Sequence, residues 1–252
     1  VGIVEDCRNQ FRWRDWQTAL DAVPLEEGQI VLDLGCGVGD LAAALLARGA
    51  ARVVGVDGNL ELLEAARSRG LPGLELRHAD LTALPNVGVT ADGIWCSFTA
   101  AYLSDPTRAL ASWARALRPG GWIALTEIDD LFGHAPLAPR TVDWLARYAR
   151  EALAAGRYDF HMGRKLRSHL EGAGFTVISD LVLADRELAA DGSASPEVLE
   201  AWRSRLGRMK RLHAFCGGAY EELERDFLGC LARADHRSTA RVMSVVALSP
   251  LT

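Results

Sequence analysis

The stretch "QIVLDLGCGVGDLAAAL", residues 29–45, joins a β-branched apolar run to an Ala/Leu-rich run through glycines at 35, 37 and 39. A strand that enters a helix through such a turn exposes backbone N–H groups with no side chain in the way. An anion or a ligand backbone can therefore come close. Several ligand classes share that arrangement. A dinucleotide fingerprint would need Gly or Ala at position 40, where this chain has Asp40, and a carboxylate there would face a pyrophosphate. The Walker A pattern is absent too, since no Gly-Lys-Ser/Thr follows. Asp33, inside the strand, suits a ligand bearing an ammonium group better than one bearing only phosphates.

Working outward, "RVVGVD" (52–57), "LELRHAD" (74–80), "DGIWCSF" (92–98), "GWIALTEID" (121–129), "TVISDLVLA" (176–184) and "RVMSVVALS" (241–249) read as further strands. Helical patterns near 40–48, 60–68, 106–117, 141–155 and 163–175 alternate with them. Such alternation predicts an α/β fold, a Rossmann-like, doubly wound, mostly parallel sheet with helices on both faces. Residues 8–22 predict one amphipathic helix before the glycine turn, and 195–213 and 219–234 predict two helical pieces parted by "CGG" (216–218). The expected organisation is an N-terminal helical segment, 1–28, and one domain, 29–252, whose insertions at about 129–163 and 185–235 would cap the active site.

Composition narrows the function classes. With 252 residues, 49% hydrophobic and 24% charged, the chain can bury a substantial core. A net charge of −5 supplies no global field for nucleic acid or an anionic membrane, so neither is an expected partner. The five cysteines form no C-x-x-C pair, which predicts free thiols in a reducing compartment. No basic-then-apolar leader opens the sequence and no apolar run approaches the roughly 18 residues of a bilayer span, so the expected location is cytoplasmic. No His/Cys/Asp spacing predicts a metal site. The one basic run, "RSRLGRMKR" (203–211), carries Leu206, Met209 and Leu212 at helical spacing and reads as a helix with a solvated basic face.

"VLDLGCGVGDLA" (31–42) resembles motif I of the class I S-adenosylmethionine (SAM)-dependent methyltransferases, and later markers follow in register from 28 to 128. The resemblance implies a seven-stranded sheet with the last strand antiparallel, SAM as cofactor and S-adenosyl-L-homocysteine as product. It implies that Gly35, Cys36 and Gly37 meet the ligand through their backbone and that Asp33 faces its ammonium. Asp57, with Gly58 beside it, matches the acid that takes both ribose hydroxyls; a carboxylate can accept two hydrogen bonds from a diol. "HADLTALP" (78–85) resembles the adenine motif, with Ala79, Asp80 for the amino group and Leu81 for a backbone N–H. Ser97 closes the set at the end of the fourth strand.

A sulfonium already activates its methyl group, so the protein chiefly has to align the acceptor and exclude water. Ligands on this fold sit beyond the carboxyl ends of the strands, which offers Ser97, Phe98, Thr99 and Tyr102 at one end and Glu127, Asp129, Asp130 and His134 at the next. Tyr102, Glu127, Asp129 and His134 are the catalytic candidates, with His161 a further base. "SFTA" (97–100) stands where nucleic-acid amino-methyltransferases carry Asn/Asp-Pro-Pro-aromatic, which disfavours a nucleobase acceptor. Aromatic residues in the segments beyond the minimal fold, among them Phe11, Trp16, Trp144, Tyr158, Trp202 and Tyr220, would suit the walls of an acceptor pocket. The expected function is SAM-dependent methylation of a small organic molecule on oxygen or nitrogen. A non-methylating SAM-using transferase and a non-catalytic SAM-binding subunit are the alternatives.

Overall fold

Each apolar run picked out above becomes a strand in the computed structural model, which describes residues 2–81 and 88–251. The strands are β1 (Ile30–Leu34), β2 (Arg52–Asp57), β3 (Leu74–His78), β4 (Ala91–Ser97), β5 (Leu117–Asp129), β6 (His134–Ala135), β7 (Thr176–Leu183), β8 (Arg237–Ser238) and β9 (Arg241–Leu248). Seven of them form one sheet in the order β3-β2-β1-β4-β5-β9-β7, with β9 antiparallel to both neighbours. β1 to β5 run parallel. The order reverses between β1 and β4, and a crevice opens outside their carboxyl ends.

The helices are α1 (Ile3–Arg12), α2 (Trp16–Asp21), α3 (Asp40–Ala47), α4 (Leu60–Arg67), α5 (Pro106–Ala114), α6 (Pro139–Ala154), α7 (Leu166–Gly172), α8 (Pro196–Arg208), α9 (Lys210–Cys216) and α10 (Tyr220–Leu231). Because side chains alternate across a strand, the central strands feed two cores. Val31, Val53, Trp95 and Ala124 pack against α2, α3, α6, α8 and α10. Leu32, Val54, Ile94 and Ile123 pack against α5 and α7. Gly93 admits the Trp122 indole, since a Cβ there would lie 2.1 Å from the ring. Trp122 Nε1 in turn donates to Gln29 Oε1 at 3.1 Å.

Two expectations are corrected. Residues 8–22 are not one helix, because Asp15 caps α2 by accepting from Thr18 N at 3.1 Å. Arg14 pairs there in the extended conformation with Asp185. Its guanidinium also reaches Asp185 Oδ2 at 2.8 Å and Glu187 Oε2 at 2.9 Å, and such buried anions hold the break open. The piece 195–213 divides at Met209, whose ψ of 60° leaves the helical region. The two-residue ribbon β6–β8 was not anticipated, because two residues carry no readable period. Among the described residues no helix is long and apolar enough to cross a membrane.

Candidate active site

The glycine turn after β1 is shaped by two requirements. Gly35 and Gly37 have φ of +78° and +53°, conformations that L side chains resist. A Cβ on Gly35 would also lie 2.0 Å from Thr99 Oγ1, whereas one on Gly37 would meet nothing within 4 Å. Gly37 therefore presents bare backbone to open space. Gly35 N and Cys36 N donate to Val56 O at 2.8 and 3.1 Å, tying the turn to β2. The Cys36 thiol packs instead over Gly55, and burial raises its pKa, so it is no nucleophile.

Two carboxylates face this turn. Asp57 Oδ2 accepts from Gly37 N at 2.9 Å and Oδ1 from Asn59 N at 2.8 Å, which orients the group and leaves lone pairs on both oxygens. Asp33 is 2% exposed, and among the described residues its Oδ2 has no hydrogen-bond partner. Burial, reinforced by the nearby Asp57 charge, pushes its pKa up to about 7. A buried acid in that condition favours a cation beside it. Ala79 N donates to Asp57 O at 3.2 Å and the His78 ring meets Gly58 O at 3.1 Å, which brings the end of β3 to the same place. Residues 82–85 of the adenine motif lie outside the described residues.

All ten residues expected at the cofactor, Asp33, Gly35, Cys36, Gly37, Asp57, Gly58, Ala79, Asp80, Leu81 and Ser97, line one cavity of about 1340 Å³. Pockets for one small molecule span roughly 300–1,000 Å³, so this one has room for two ligands side by side. Its other wall comes from outside the glycine-turn region: Phe11, Trp16, Tyr148, Tyr158 and Phe160 with Arg205. Phe98 bridges the two, held at φ +52° with the Arg14 guanidinium 4.5 Å over its ring and Trp16 edge-on at 6.1 Å.

Of the four catalytic candidates the structure brings only Tyr102 to the cavity wall, 58% exposed and edge-on to Tyr158 at 4.7 Å. Strand period explains two of the others. On β5, Ile128 faces the cavity, so Glu127 and Asp129 turn to the opposite face. Glu127 Oε1 accepts from Ala101 N at 3.0 Å, and burial pushes the acid up to about 8, so it is chiefly neutral at pH 7. Asp129 is engaged by Arg164 Nε at 2.6 Å and Asp130 by Thr239 Oγ1 at 2.7 Å. His161 stands beside that pair, 3.8 Å from Asp129 Oδ1.

His134 is corrected as well. It lies on β6, packed edge-on against Trp202 at 5.4 Å and Phe227 at 5.3 Å, away from the cavity. His236 Nδ1 donates to Gly192 O at 2.9 Å, so its Nε2 accepts from His134 Nδ1 at 3.0 Å. Burial and the neighbouring His236 push His134 down to about 4.

Sequence reasoning offered Phe11 as a pocket wall but missed the rest of the α1 stripe. Ile3, Asp6, Cys7, Gln10 and Phe11 line the cavity at i, i+3, i+4, i+7 and i+8, a stripe that the spacing itself carries. The basic run is solvated at Arg203, Arg208, Lys210 and Arg211, as expected, and departs from expectation at Arg205, which is partly buried. Arg205 and Arg208 also line the cavity, Arg205 pairing with Glu187 at 2.6 Å and Arg208 with Asp6.

A family model described as a methyltransferase domain matches residues 31–121. Trans-aconitate 2-methyltransferase of Azoarcus sp. (strain BH72) is 40% identical over 141 residues, 55% of each chain. The chain spans between a third and a little over half the length of the curated relatives it matches. Its fold is similar to an S-adenosylmethionine-dependent methyltransferase from Mesorhizobium loti, with TM-score 0.55, 21% identity and 93% and 97% of the two chains covered. It is also similar to the [4+2]-cyclase SpnF, with TM-score 0.62, 20% identity and 94% and 80% covered.

Proposed function

We propose, with this chain placed among the class I SAM-dependent methyltransferases by its matched domain, its relatives and its fold, that it transfers a methyl group from SAM to a small organic molecule. The observation that carries the reading is Asp33, a buried carboxylate with an unpartnered oxygen, on the same cavity as bare Gly37 and fixed Asp57. Those three fit the ammonium, the chain and the ribose diol of an adenosyl amino acid. Ala79 and Leu81 would flank the base. When bound, SAM supplies a methyl group already activated on a sulfonium.

The chain's own residues then bind, orient and exclude water. Phe11, Trp16, Tyr158 and Phe160 wall the acceptor half, so segment 1–28 and the insertions 129–163 and 185–235 act as its cover. Desolvation within the cavity raises the pKa values of Tyr102 and Tyr158, so at neutral pH both phenols are O–H donors that orient an acceptor atom. Glu127 acts through position: by accepting from Ala101 N it holds the turn that carries Tyr102. An acceptor arriving with a free lone pair needs alignment more than a base.

Calorimetric titration with SAM, S-adenosyl-L-homocysteine and NAD, followed by a mass-spectrometric screen for products one CH2 heavier, tests the reading. Binding of the first two, rejection of NAD and a methylated product are expected. Preference for NAD, or no SAM binding, would overturn it.

A further inference from the structure

The cavity is lined by charges of both signs. Asp33, Asp40, Asp57 and Asp80 lie on its glycine-turn side, and Arg157, Arg205, Arg208, Lys210 and Arg211 are contributed by the segments beyond the minimal fold. Two of those cations are committed, Arg205 to buried Glu187 and Arg208 to Asp6. Among the described residues Arg157 pairs only with Glu151, at 2.8 Å, and that acid is half-exposed and outside the cavity. Such a surface pair is weak and leaves the guanidinium's other N–H groups for a ligand. Lys210 and Arg211 form no ion pair among the described residues.

An aromatic wall lines the same cavity. Tyr102 meets Tyr158 at 4.7 Å, Tyr158 meets Phe160 at 4.7 Å and Phe160 meets Tyr148 at 5.7 Å. Arg157 and Arg211 line the same cavity as Tyr148 at the end of this wall.

We propose that the methyl acceptor is an amphipathic organic anion, its apolar body lying along Tyr158, Phe160 and Tyr148 and its carboxylate or phosphate head held by Arg157 and Arg211. This rests on the methyl-transfer reading and names its substrate class. A planar guanidinium matches either oxyanion in a two-bond fork. The anchored head sets how far the body reaches, which presents its other end to Tyr102 at the end of β4. A cationic amine would meet like charge at this wall.

The test uses protein saturated with S-adenosyl-L-homocysteine and two fluorescent probes of the same shape, anilinonaphthalene sulfonate and its uncharged parent N-phenylnaphthylamine. The sulfonate is expected to bind about tenfold or more tightly than the neutral probe. Arg157→Gln/Arg211→Gln should erase that preference while affinities for S-adenosyl-L-homocysteine and the neutral probe persist, and Arg157→Lys/Arg211→Lys should keep part of it. Competition by phenylpropionate and by phenyl phosphate then tells a carboxylate head from a phosphate head. No sulfonate binding, equal binding of the probes, or a preference that survives the Gln pair would overturn the proposal. The wild-type probe comparison decides it even where a variant fails to fold. Failure of the wild type to bind S-adenosyl-L-homocysteine would instead sink the methyl-transfer reading, so the two failures are distinct.

Discussion

The two ends of the cavity are built on different principles. The glycine-turn end is made by short-range sequence: strand, turn and helix follow one another, and backbone groups of Gly35, Cys36 and Gly37 are fixed by neighbours on β2 and by Asp57. The opposite wall is assembled by side chains from α1, α6 and α8, joined by long-range pairs such as Arg14 with Glu187 and Arg208 with Asp6. The first end is therefore held by backbone hydrogen bonds within one strand-turn-helix unit and its neighbour strand. The second is adjustable by substitution without loss of the sheet, which is how one fold comes to serve many acceptors.

Substitutions should separate the two ends, and the largest effect belongs to the turn. Gly35→Ala forces a Cβ onto Thr99 and strains a positive φ, so SAM affinity in calorimetry should fall on the order of a hundredfold. Unchanged affinity would show that the turn is not the cradle. Asp33→Asn should cost on the order of tenfold or more. It should also flatten a pH dependence. In the free wild-type protein Asp33 holds its proton below about 7, and facing an ammonium requires losing it, so SAM affinity should rise with pH through that value.

Glu127 links site to stability. Its folded-state pKa is raised from 4.5 to about 8, so between those values the native state holds a proton that the unfolded chain has released. Stability therefore falls as pH rises across that window, by on the order of 5 kcal/mol. Urea denaturation of Glu127→Gln should show that fall diminished. A profile parallel to wild type would remove Glu127 as its source. On the wall, Arg208→Ala breaks the pair with Asp6 and should raise the acceptor KM about threefold while leaving SAM affinity intact. The smallest effect is expected for Asp15→Ala, about 1 kcal/mol from the lost cap of α2, read as a lowered Tm.

The strands, and the gathering of the ten expected residues on one cavity, were legible because both rest on local signals. β1 and β2 fall where the apolar runs 30–34 and 52–57 stand, and the ten cofactor residues sit within a few positions of strand ends. The acceptor side was less legible. Glu127 and Asp129 stand at a strand end as expected, but the pleat turns them away from the cavity, and a one-residue difference in facing is not visible without the register of β5 against β4 and β9. His134 looked like a base beside an acidic cluster, yet the ribbon β6–β8 carries it into an aromatic core. Arg205 looked solvated because its partner, Glu187, is remote in sequence.

By itself, then, the sequence determined the alternating sheet, the glycine turn and the acids Asp33 and Asp57 that face it, since each depends on contacts between residues close along the chain or on the repeating pattern of a strand. Tertiary structure alone decided which charges line the cavity and which are paired, because such pairing joins residues as far apart as Asp6 and Arg208, 202 positions along the chain. Desolvation makes such pairings decisive: a cation matched by a buried acid is spent, and one left without a partner is available to a ligand.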